Sequence, residues 1–135
     1  LGPNSMYVVR IDGYFNRVAA RTELYQHEPY KPFAKVLETD ERRFAFENVK
    51  GSLVCFYFPS FMDGVNTPGW HFHFINAART FGGHVFDVDM VHGTATLNKT
   101  DRFILDLPSN QAFQYADLAN ASKDDIHKVE QGGGD

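Results

Sequence analysis

Three of the six histidines, His71, His73 and His84, fall within fourteen positions of one another. In the run His71-Phe72-His73-Phe74 the histidines are two apart, and on a β-strand residues two apart point to the same face. Both imidazoles would face one side while Phe72 and Phe74 anchor the other in a core. Along a strand such neighbours are roughly 6–7 Å apart, a spacing that lets two ring nitrogens lean toward one ion. His84 completes a triad if the chain reverses over residues 77–83 and returns antiparallel. The pair Gly82-Gly83 is read as supplying the backbone angles for that return. Three neutral nitrogen donors without a thiolate suit a zinc ion with open coordination positions, hence Lewis-acid or water-activating chemistry. Against this stands the plain alternative, a His-x-His strand whose imidazoles are solvated or hydrogen-bonded in a core. His27, His92 and His127 sit among polar residues and are read as exposed.

The elements that must position these residues read mostly as strands. Residues 7–11 and 14–20 are apolar and β-branched around Asp12-Gly13, the pattern of a hairpin turn. Residues 42–46 form a candidate strand, and residues 52–58 read as a buried central strand ending at Pro59. Residues 70–75 carry the paired histidines. Residues 84–91 alternate until Gly93 breaks them, and 94–97 and 102–107 follow as two further strands. Short helices are expected over 33–37, over 110–116 behind a Ser109 cap, and over 123–130 behind a Ser122 cap. The fold class is thus α+β and mostly β: an antiparallel or mixed sheet, or half-barrel, with two or three short helices.

Bulk properties agree. The 135 residues suffice for one domain with a real core, and 13 Phe against one Trp favour a sheet-rich interior. A net charge of -4 without long runs of one sign points to neither nucleic acid nor an anionic membrane as partner. Cys55 is the single cysteine, which excludes an intrachain disulfide and a thiolate-rich metal site. It is read as a small buried residue. No apolar run approaches the ~20 residues of a membrane-spanning helix.

The joint pattern resembles the alpha-acetolactate decarboxylase family. Pro68-Gly69-Trp70-His71-Phe72-His73-Phe74, followed by Arg79-Thr80-Phe81-Gly82-Gly83-His84-Val85-Phe86-Asp87, is similar to that family's zinc segment. The likeness continues through Arg10-Ile11-Asp12-Gly13-Tyr14-Phe15, Arg21-Thr22 and Pro29-Tyr30. Further on it takes in Val49-Lys50-Gly51, Leu107-Pro108 and Val129-Glu130, covering nearly all of residues 4–131. The resemblance implies zinc-dependent decarboxylation of 2-acetolactate to acetoin. It assigns zinc to His71, His73 and His84, substrate binding to Arg21 and proton transfer to Glu130. A second family glutamate, from the N-terminal half, has no counterpart here, and Cys55 stands where the family often has Gly. The chain starts at Leu1 rather than Met, and the resemblance implies that residues 1–131 are the C-terminal half of a longer protein, with 132–135 a flexible tail. A homodimer, partnership with the missing N-terminal half and a cytoplasmic location complete the implied picture.

Two other function classes compete. A cupin-type non-haem iron enzyme also begins from His-x-His but usually places a carboxylate three to five positions beyond the second His. Asn76, Ala77 and Ala78 occupy those positions. A non-catalytic β module with a structural metal requires a closed site with no exchangeable ligand.

Overall fold

The computed structural model describes residues 1–118. Four long strands, β1 (Met6–Glu23), β2 (Glu41–Phe58), β3 (Gly69–Asn76) and β4 (Gly82–Thr100), form one closed antiparallel barrel. Helix α1 (Phe33–Asp40) links β1 to β2, a 3-10 turn (Ser60–Met62) follows β2, and the short helix α2 (Gln111–Gln114) comes after the barrel. The β-rich expectation holds, with the sheet closed rather than half-closed. Among the described residues no helix is long and apolar enough to cross a membrane.

β1 is the spine, pairing along nearly its whole length with both β2 and β4. It does not turn at Asp12-Gly13, as its sequence suggested, and β4 does not break at Gly93. In register, Gly13 lies opposite both Gly51 and Gly93. A Cβ on Gly13 would come within 2.4 Å of the His92 carbonyl oxygen, and one on Gly51 within 2.5 Å of the Ile75 carbonyl oxygen. These glycines serve close backbone approach where strands bend around a tight barrel, a use that resembles turn chemistry in sequence. β2 likewise joins the two shorter strands expected over 42–46 and 52–58. Within it Leu53 and Cys55 are buried while Phe56 is exposed, so this strand is half-buried rather than central.

Halfway along, the barrel changes which side chains it swallows. Tyr7, Val9 and Phe15 of β1 point into the core, and beyond Asn16 the inward residues become Val18 and Ala20. β2 changes in step, with Val49, Leu53 and Cys55 inward on one side of Asn48 and Phe44 and Phe46 on the other. Asn48 adopts a left-handed φ of 51°, a conformation asparagine tolerates well. In β4 Val91 is left over between the pairs Tyr14↔His92 and Phe15↔Met90, and Phe86 between Ala19↔Asp87 and Ala20↔Val85. An extra residue of this kind is a β-bulge; it bends the strand and re-aims its side chains. The shift leaves Arg21, Glu41 and Arg43 on the face away from the core.

Phe15 and Phe74 are the phenylalanines of the buried core, which they share with Val9, Val18, Val85 and Leu53. Phe74 packs edge-on against Phe15 at 5.5 Å between ring centroids and against Phe46 at 5.7 Å. The strand expected over 102–107 does not form: that segment has no regular structure, and Phe103, Ile104, Leu105 and Leu107 are exposed. Its apolar run Phe103-Ile104-Leu105 suits a sheet, and among the described residues no strand pairs with it. α1 runs longer than expected, starting after Pro32 and burying Val36. α2 is capped one residue later than expected, by Asn110, whose Oδ1 accepts the Phe113 amide at 2.8 Å. The expected helix over 123–130 and the glycine tail lie outside the described residues.

Candidate metal centre

The β3–β4 reversal that brings the histidines together is organised by Asn76. Its Oδ1 accepts the amides of Thr80 at 2.9 Å and Phe81 at 3.1 Å, and its Nδ2 donates to Thr80 Oγ1 at 3.0 Å. Arg79 takes the left-handed position of this turn, with φ 57°. Gly82 and Gly83 therefore do not make the turn; both belong to β4. A Cβ on Gly83 would stand 2.1 Å from the Arg21 carbonyl oxygen, and one on Gly82 2.5 Å from that of Phe74. The two glycines let β4 press against both neighbours at this point.

Register then fixes the site. His73 pairs with His84 across β3–β4, and Arg21 pairs with His84 across β1–β4. Directly paired residues project to the same face, so Arg21, His84, His73 and His71 share one side of the sheet. Phe74 and Val85, their chain neighbours, are buried in the core behind them. The Nε2 atoms of His71 and His73 are 2.9 Å apart, and His84 Nδ1 lies 3.3 Å from His71 Nε2. One ring nitrogen from each histidine falls within 4.8 Å of the others. Nitrogens bound to one tetrahedral zinc at ~2.0–2.1 Å are about 3.3–3.4 Å apart, so this donor set fits a zinc ion with little adjustment. The rings of His71 and His73 lie nearly parallel, and His84 meets them edge-on.

Among the described residues the one candidate metal-holding group is this triad, without a carboxylate. Asn76 to Ala78, where a cupin-type site would seek its acid, are spent on the turn. His27 and His92 are exposed, the latter stacked on Tyr14; His127 lies outside the described residues.

Arg21 differs from what its sequence setting alone would suggest, a solvated cation at a strand end. It is 3% exposed, and its Nη1 donates to Glu41 Oε2 at 3.0 Å. Glu41 gives its other oxygen to Arg43 Nε, so one carboxylate bridges two guanidinium groups. Burial works to raise the Glu41 pKa, but the hydrogen bonds from Arg43 and Arg21 outweigh it and hold the carboxyl below its usual range. Arg43 in turn lies over the ring of Phe86, 5.3 Å from its centroid. The sequence pattern does not single out Glu41, because the strand it predicts starts at residue 42, nor the place of Phe86 under Arg43, because bulges leave no periodic mark. An acid two positions before Arg43, hence on the same strand face, was the available signal. Glu130 lies outside the described residues.

Comparison with known proteins follows the same lines. A family model described as Alpha-acetolactate decarboxylase matches residues 1–120. The chain is 41% identical over 128 residues to an alpha-acetolactate decarboxylase of Methanosarcina mazei, covering 95% of this chain and 44% of that protein. It is 38% identical over 117 residues to the one of Bacillus subtilis strain 168, covering 87% of this chain and 46% of that protein. The crystal structure of alpha-acetolactate decarboxylase from that strain superposes with a TM-score of 0.87 at 37% identity, over 96% of this chain and 55% of the other. The chain spans about half the length of the curated relatives it matches.

Proposed function

Since this chain belongs to the alpha-acetolactate decarboxylase family, we propose that it is the metal-ligating C-terminal half of an enzyme that decarboxylates 2-acetolactate to acetoin. The observation that carries this reading is the convergence of His71, His73 and His84 beside Arg21 on three adjacent strands. The substrate holds a carboxylate, a tertiary hydroxyl and a ketone on adjacent carbons, and loss of carbon dioxide leaves an electron pair that must move onto the ketone oxygen. A zinc ion held by the three histidines would supply a Lewis acid for that developing charge, and no organic cofactor is needed. Arg21 is assigned the substrate carboxylate, which matches the planar, permanently charged fork of a guanidinium. Glu130 is assigned delivery of the proton that completes acetoin. A glutamate from the N-terminal half completes the set, and the enzyme acts as a cytoplasmic homodimer.

The test is elemental analysis and acetoin formation from racemic acetolactate, on the protein carrying this sequence and on its His73→Ala variant. Zinc near one equivalent per chain and acetoin in the parent, with both lost in the variant, is the expected result. A zinc-poor His73→Ala protein that forms acetoin at the parental rate would refute the role of the triad. Iron dependence with oxygen consumption would replace the reading with an oxygenase.

A further inference from the structure

Arg21 cannot hold its direction unaided. A guanidinium sits at the end of a flexible stem, and Arg21 faces a second cation directly, since the register pairs Arg21 with Arg43 across β1–β2. Like charges opposite one another on a sheet repel. Glu41 sits diagonally to Arg21 across the strand pair and two residues before Arg43 on its own strand, and its two oxygens accept from Arg21 Nη1 and Arg43 Nε. Its side chain is 11% exposed, and Arg21's 3%, so this bridge operates largely away from water. Arg43, which is half exposed, is itself steadied over Phe86, two residues beyond His84 on the same strand. The bridge thus connects the beginning of β2 to the β1 position that lies in register with a histidine of the triad.

We propose that Glu41 is the positioning residue of the site: it fixes the Arg21 guanidinium beside the histidine triad, and so sets how the substrate carboxylate is held. The inference rests on the reading that Arg21 takes that carboxylate. Glu41 touches neither the histidines nor, on this reading, the substrate, and it acts only through Arg21. Three consequences follow. Changing Glu41 leaves the metal in place. It damages recognition of carboxylate-bearing molecules and spares those without one. Its effect also disappears once Arg21 is gone, as expected of two residues that act as one unit.

The experiment uses the protein carrying this sequence with its zinc bound, and the variants Glu41→Gln, Glu41→Asp, Arg21→Ala and the double change Arg21→Ala/Glu41→Gln. Glu41→Asp keeps the charge and shortens the reach by one methylene, so it provides the test even if Glu41→Gln does not fold. For each variant one measures zinc content, kcat and KM for acetolactate, and inhibition by 2-hydroxy-2-methylpropanoate and by acetoin, which has no carboxylate. The expected result for Glu41→Asp is unchanged zinc and at least a tenfold loss in kcat/KM. Binding of the hydroxy acid should weaken by a similar factor, with acetoin inhibition unmoved. The double variant should be no worse than Arg21→Ala. Parental kcat/KM in Glu41→Asp, or hydroxy-acid and acetoin affinities that fall together, overturns the inference while leaving the role of Arg21 standing. Parental affinity of Arg21→Ala for the hydroxy acid overturns both.

Discussion

Replacing Gly83 by alanine probes the point where strand packing and the metal centre meet. The added methyl carbon would lie 2.1 Å from the Arg21 carbonyl oxygen and 3.2 Å from Phe44 Cζ. The Phe44 ring can rotate away, but the Arg21 carbonyl is backbone, held in a strand that pairs on both sides. Restoring an ordinary nonbonded distance requires β4 to part from β1 by roughly 1 Å or more. Overpacking of this kind costs about 1–3 kcal/mol, and a ladder hydrogen bond lost in the adjustment adds about 1 kcal/mol. A total of about 2–4 kcal/mol in a domain of this size lowers the melting temperature by roughly 7–14 °C. His84 adjoins Gly83, and a metal site tolerates displacements of only about 0.2 Å in its ligands. Zinc affinity should therefore fall at least tenfold, the scale of losing the support around one ligand. Thermal unfolding by circular dichroism and zinc titration against a competing chelator read the two effects. Gly64→Ala is the control: Gly64 has φ +85° with nothing within 4 Å of its added Cβ. It should cost only the left-handed strain of about 1–2 kcal/mol and leave zinc affinity unchanged. A Gly83→Ala protein that melts and binds zinc like its parent would refute the close-approach argument.

Two further outcomes follow from buried ionisable groups. Desolvation pushes the Cys55 thiol up to about 11, so it stays protonated at neutral pH; a thiol reagent should leave the native protein unlabelled and react once denaturant is added, and rapid labelling at pH 8 without denaturant would contradict its burial. Because the Glu41 pKa is depressed in the folded protein, its stabilising effect is present above the unfolded value of about 4.3 and is lost as pH falls through the folded value. Removing that charge with Glu41→Gln should therefore shrink the loss of stability between pH 5 and pH 3, measured by denaturant titration, and an identical pH slope in both proteins would rule this out.

What the sequence disclosed and what it withheld divide along physical lines. A period of two is a local property, so it put His71 and His73 on one face and Phe72 and Phe74 on the other, as found. The return of His84 was also legible, although the wrong residues were credited with it: a double glycine looks like a turn, while the turn is built by the side chain of Asn76. Strand lengths were cut short for the same reason. Gly13, Gly51 and Gly93 are needed where backbones nearly touch, and nothing local distinguishes that need from a reversal. The phase changes at Asn16, Asn48, Phe86 and Val91 depend on pairing between distant strands, so the burial of Arg21 and its partnership with Glu41 were out of reach. Residues 102–107 carry the apolar composition of a strand, but a strand also needs a neighbour.

The barrel is not equally strong around its circumference. β1 and β2 share sixteen paired positions, whereas β3 and β4 meet at three: His73↔His84, Phe74↔Gly83 and Ile75↔Gly82. That shortest seam is the place to expect opening, since few hydrogen bonds must break together to unzip it. Two of the three imidazoles face each other across it. An ion held there would rivet the cylinder where it is least sewn, and at a hundredfold excess over its dissociation constant it would add about 2.7 kcal/mol to the closed form. Metal supply would then govern more than reactivity. It would set how often the sheet stands ajar, and amide exchange at Phe74 would report the bound ion without any substrate present.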